Sequence, residues 1–80
     1  MSVLWDMQKL RNERKQRILN ILKEKGAMTT WMVAKEAMIA WGTANQLLLE
    51  LQADGKVKSK KVVDGLKRKI VWEVVENASN

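Results

Sequence analysis

AKEAMIAWGTANQLLLELQADGKVKSKKVVDGLKRKIVW, residues 34–72, decides the fold of this 80-residue chain. Its first half spaces apolar side chains at Ala34, Ala37, Ile39, Ala44, Leu48 and Leu51, as two helices packed across a tight turn require. Gly55 supplies a stop for the second helix, since glycine enters the left-handed conformation at a helix end without a Cβ clash. The second half changes period. Asp64-Gly65 is a strong hairpin signal, and the strands it joins carry Lys56, Lys58, Lys60, Lys61, Lys67, Arg68 and Lys69. A two-residue Asp64-Gly65 turn sets Val63 opposite Leu66, Lys61 opposite Arg68, Ser59 opposite Ile70 and Val57 opposite Trp72, all on one face. Val57 and Trp72 then form the base of the hairpin, against the helices. On the other face Lys60 opposes Lys69, a like-charge pair that costs stability unless an anion lies nearby.

Working outward, Lys9–Lys25 is helical in composition, with Ile18, Leu19, Ile21 and Leu22 as its apolar stripe. Lys23 and Lys25 suit its C-terminus and Gly26 its cap. Val3, Leu4, Trp5 and Met7 extend the apolar pattern without a breaker, so the first helix is expected to begin early. Ala27–Thr29 is a short link, one extended segment able to pair with the hairpin. Thr30 is a plausible N-cap for a helix over 31–38. Ile39–Gly42 reads as the turn, and Thr43 as the cap of a helix over 43–54. The expected division is an N-terminal extension at 1–11, one domain at 12–76 and a polar tail at 77–80.

Eighty residues make one domain with a small core. A hydrophobic content of 46%, with no proline and four glycines, excludes wholesale disorder. There is no cysteine, hence no disulfide framework or thiolate metal site. No apolar run reaches the roughly 18 residues that span a bilayer, and MSVLWDMQKL lacks the pattern of a secretory signal. An intracellular protein without a membrane role is expected. The formal charge is +6, and residues 56–69 hold seven Lys/Arg against one Asp. A second group, Lys9, Arg11, Arg14, Lys15 and Arg17, faces only Glu13 nearby. Such clustering favours a polyanion; its bland alternative is a solvated surface.

The order helix, short strand, helix, turn, helix, two-stranded wing resembles the winged helix-turn-helix family over roughly residues 12–76. Leu48, Leu51, Gly55 and Val57 occupy that family's L-x-x-L-x-x-x-G-x-V run without a gap. Small size and a charged wing look like the compact transcription regulators of archaea and their plasmids and viruses. The resemblance implies an α+β, mainly α fold: three helices plus a two- or three-stranded β-wing, with the first helix extended at its N-terminus. It also implies double-stranded DNA as partner, the third helix in the major groove and the wing on backbone or minor groove. Carried onto this chain, Asn45 and Gln46 become candidates for bidentate readout of adenine, with Thr43 and Trp41 beside them. The backbone contacts fall to Lys56, Lys58, Lys60, Lys61, Lys67, Arg68, Lys69 and Lys35. No Arg or Lys lies between Lys35 and Lys56, so guanine readout is not expected, and phosphates should dominate affinity.

A narrower relative, the left-handed-DNA-binding Zα domain, also carries an Asn on its third helix and a Trp in its second wing strand. Asn45 and Trp72 match those positions. Leu49 replaces that domain's tyrosine and its wing prolines are missing, departures that favour the broader family. Leu4, Trp5, Met7 and Leu10 form apolar surface that a small monomer hardly covers, and a homodimer through this segment is the expectation, with folding back of Trp5 as the alternative. Nothing resembles an enzyme: there is no His, no Cys, no phosphate-binding loop, no metal cluster and no evident cofactor or small-molecule site. The expected function is therefore a sequence-preferring DNA-binding transcription regulator. A winged-helix protein adaptor or a non-specific architectural DNA binder is the alternative.

Overall fold

A computed structural model of the chain describes residues 3–75, with side chains from residue 7 onward. Three helices, α1 (Val3–Lys25), α2 (Thr30–Ala37) and α3 (Trp41–Ala53), are followed by a hairpin of β2 (Val57–Asp64) and β3 (Lys67–Val74). A two-residue strand, β1 (Met28–Thr29), pairs with the base of β3 and completes an antiparallel sheet of order β1-β3-β2. The extended link expected near Thr29 is this strand. The early start of the first helix is also observed, so the N-terminal extension is a continuation of α1.

One apolar cluster holds the elements together. Ile18 and Leu22 of α1, Val33 of α2, and Leu48 and Leu51 of α3 are buried with Val57 and Trp72 at the wing base. Trp72 is also tied by a hydrogen bond: its Nε1 donates to Thr30 Oγ1 at 2.8 Å. The cap of α2 is Thr29, whose Oγ1 accepts from the Met32 amide at 3.2 Å, one residue before the position expected. The start of α3 is corrected in the same direction. Trp41 is its first residue and Ala40 its N-cap, without a side-chain bond, so Thr43 lies inside the first turn.

Both helix ends of the helix-turn-helix unit close by the same geometry. At α3, Gly55 has φ +76, its amide donates to the Gln52 carbonyl, and the Lys56 amide reaches back to the Leu51 carbonyl. That is the Schellman arrangement, which satisfies carbonyls a helix otherwise leaves open. At α2 the left-handed position is filled by Met38, φ 58, with the Ile39 amide on the Ala34 carbonyl. Its left-handed geometry makes the turn between α2 and α3 only three residues long.

The hairpin turns one residue later than Asp64-Gly65 suggests. Asp64 pairs with Lys67 and the two turn residues are Gly65 and Leu66. Gly65 has φ +64 and Leu66 is not in the positive region, the φ pattern of a type II′ turn. This choice sets opposite charges, Asp64 and Lys67, across the last pair. The register therefore moves by two: Val57 faces Val74, Ser59 faces Trp72, Lys61 faces Ile70 and Val63 faces Arg68. Lys60 faces Val71, not Lys69, so the directly opposed lysine pair does not exist. A shift of two leaves every side chain on the face expected, and Val57 and Trp72 remain the buried base.

Candidate nucleic-acid interface

Helix α3 buries Ala44, Leu47, Leu48 and Leu51, so its opposite face points outward. At 100° per residue that face holds Gly42, Asn45, Gln46, Leu49 and Ala53. It carries no Lys or Arg. Glu50 and Asp54 lie on the flank toward α1, where Arg11 reaches Glu50 at 3.2 Å and Lys15 reaches Glu50 and Asp54 at 3.2 and 3.4 Å. Two cations of the basic group on α1 are thus engaged by α3 carboxylates, which the count of charges along the chain does not reveal.

The four expected base-contact residues divide between two sides of α3. Asn45 and Trp41 turn toward the wing, into a depression of about 360 Å³ also lined by Trp31, Lys69, Ile70 and Trp72. Thr43 and Gln46 turn toward α1 and line a second groove, of about 390 Å³, with Met7, Leu10 and Arg14. Trp31 and Trp41 are 60% and 55% exposed, an unusual outlay of aromatic surface for a small domain. Lys35 stands over the Trp31 ring, 5.4 Å from its centroid, a cation–π contact beside the depression. From the sequence Trp31, at the start of the second helix, reads as either half-buried or stacked near a phosphate, and the structure leaves it exposed. The pairing of Met28 with Trp72 is what brings the start of α2 to the wing base.

Strand alternation divides the wing cations as well. Lys61 and Arg68 share the face of Val57 and Trp72, the side that packs on the helices, and extend it outward with Ser59, Val63 and Ile70. Lys58, Lys60 and Lys67 are on the opposite face, where Lys58 is paired with Glu73 at 3.3 Å. Lys69 belongs to that opposite face by register, yet it lines the Asn45 depression. β1 pairs with β3 only at Val71 and Trp72, so the β3 edge beside Lys69 is uncovered. Lys56 is exposed in the link between α3 and β2.

Of the expected dimerisation residues, Met7 and Leu10 are 61% and 48% exposed on α1. The side chains of Leu4 and Trp5 lie outside the described residues. Among the described residues no group of His, Cys, Asp and Glu is arranged to hold a metal, and no helix is long and apolar enough to cross a membrane.

These elements define a winged helix-turn-helix domain, with α2 and α3 as the helix-turn-helix and β2–β3 as the wing. No protein-family model and no curated protein matches the sequence. Solved structures do. The apo Zα domain of zebrafish PKZ is 34% identical with a TM-score of 0.71, over 84% of this chain and 98% of that one. A PKZ Zα domain in complex with ds(CG)6 is 35% identical with a TM-score of 0.67, over 81% and 98%. The chain belongs to the Zα family of winged-helix domains. Lactococcus lactis ZitR, a zinc-responsive MarR family member, shares the fold at 23% identity and a TM-score of 0.70, and this chain spans 44% of it. The narrower of the two resemblances is thus the family, despite Leu49 and the missing wing prolines.

Proposed function

We propose that this domain binds double-stranded DNA across the outer face of α3 and the α3-facing side of the wing, and that it selects the left-handed form. The observation that carries this is the convergence of Asn45, Trp41, Lys69 and Trp72 on one depression at the junction of helix and wing. Lys61 and Arg68 extend from the same side. Asn45 and Lys69 are donors for phosphate oxygens there, and Trp41 offers a ring face to a sugar or base.

The distribution of donors argues for recognition of shape. α3 has no Arg or Lys, and Asn45 and Gln46 face different flanks. Most contacts then fall on the backbone, which carries helical form but no base identity directly. Two Zα structures support the choice of form: the 35% identical domain is complexed with ds(CG)6, and the Zα domain of Carassius auratus PKZ, 23% identical, with Z-DNA. A protein that binds one helical form better shifts the duplex toward it.

The test is a titration of an alternating CG duplex followed by circular dichroism, beside a mixed-sequence duplex of equal length. Inversion of the CG spectrum at stoichiometric protein, with weaker binding to the mixed duplex, is expected. Tight binding to the mixed duplex with no inversion would instead identify a reader of right-handed DNA, in which Asn45 and Gln46 contact bases.

A further inference from the structure

The groove between the N-terminal half of α1 and the first turns of α3 lies on the flank of α3 away from the wing. Met7, Leu10 and Leu47 give it apolar surface, and Arg14, Thr43 and Gln46 line its polar side. Arg14 is exposed and forms no ion pair among the described residues.

We propose that this groove is a second backbone rail. It holds a sugar-phosphate strand of the bound duplex on the side of α3 away from the wing. The Arg14 guanidinium meets a phosphate, and Met7 and Leu10 lie against deoxyribose. The inference rests on the duplex-binding function, and three observations carry it. The first is charge: α3 brings no cation of its own, and the wing supplies cations on one flank only. Phosphates on the other flank need a partner from α1, where Arg11 and Lys15 are already engaged with Glu50 and Asp54. The second is continuity, because Gln46 belongs both to the groove and to the exposed face of α3. The third is the chemistry of the lining. A deoxyribose-phosphate strand presents apolar sugar edges beside anionic oxygens, matching an apolar groove with an arginine on it. A second copy of this chain fits less well, since two such grooves would set Arg11 and Arg14 against their own equivalents.

The experiment uses the full chain and a 12-base-pair alternating CG duplex, with affinity measured by anisotropy across a salt series. Arg14→Ala should flatten the log–log salt slope by about 0.9 and weaken binding about eightfold at 0.1 M salt, the effect of one phosphate contact. Arg14→Glu should weaken it further. The loss should add to that of Lys61→Ala/Arg68→Ala, as separate contacts do. An unchanged near-UV spectrum confirms that the exposed substitution leaves the fold intact. A wild-type slope in Arg14→Ala, with the wing variant still weakened, overturns the rail and leaves duplex binding standing. Failure of the wild-type chain to bind the duplex overturns both. A DNA-free dimer in sedimentation, made monomeric by Met7→Asp/Leu10→Asp, overturns the rail by assigning the groove to a second copy.

Discussion

Neutralising the two faces of the wing separately should give two different results, although each change removes the same charge. Lys61 and Arg68 lie on the face of Val57 and Trp72, beside α3, while Lys58 and Lys60 lie on the opposite face. From the level of the buried Trp72, opposite Ser59, to Asp64–Lys67 the strand runs five residues, about 17 Å of projecting blade at 3.3 Å per residue. Lys61 stands about 7 Å along it and Arg68 about 13 Å, so both are in reach of a duplex seated on α3. Each phosphate contact contributes about 0.9 to the log–log salt slope, hence about 1.8 for the pair, or about 60-fold in affinity at 0.1 M relative to 1 M salt. Lys61→Ala/Arg68→Ala should lose about that much. Lys58→Ala/Lys60→Ala removes one lysine already paired with Glu73 and another turned from α3, and its slope should stay near the wild-type value. Anisotropy titrations at four or five salt concentrations measure both. Equal flattening by the two double variants would refute the assignment of faces, and a larger effect from Lys58/Lys60 would reverse it.

Asn45→Ala should weaken binding by about 1.5–3 kcal/mol, the range for a hydrogen bond to a charged group, equally on all duplexes of one helical form. A loss confined to one base pair would indicate base readout. Thr30→Val removes the acceptor of the buried Trp72 Nε1–H, and an unsatisfied buried donor costs about 1–3 kcal/mol. Thermal unfolding should show a drop of several degrees, and an unchanged midpoint would mean the bond contributes nothing. Met38→Gly should stabilise by about 1 kcal/mol, since an L-residue at φ 58 is strained where glycine is not. A lower melting temperature would contradict that account of the turn.

The core was legible because its spacing is dictated by helix and strand periods. Ile18, Leu22, Ala34, Leu48, Leu51, Val57 and Trp72 fall on the inner faces that those periods define, and all are buried. The turn was not, because Asp64-Gly65 and Gly65-Leu66 both satisfy two-residue turn rules. The observed turn places Asp64 opposite Lys67, a cross-strand relation outside the dipeptide. The caps moved for a similar reason: Thr29 and Thr30 are equivalent locally, and only the approach of Trp72 assigns Thr30 to the indole. The candidate interface was legible in part. Lysine clustering marked the wing, yet the division of its cations by face, and of Asn45 from Gln46 by flank, follows from pairing and rotation that a charge count ignores. Engagement of Arg11 and Lys15 with Glu50 links residues 39 and 35 positions apart, beyond any local pattern. The sequence points away from the narrower family at Leu49, a residue on the exposed face, while the likeness is spread over the whole fold.

The central claim is that a duplex lies on α3 and one side of the wing. Amide and indole chemical shifts, recorded during titration with an alternating CG duplex at low salt, test it most directly. The indoles of Trp31 and Trp41 and the amides of Asn45, Lys61, Arg68 and Lys69 should move together and saturate at one stoichiometry, while Lys58 and Lys60 stay close to their free positions. Saturation with those signals unmoved, or with shifts centred on Lys58 and Lys60, would contradict it.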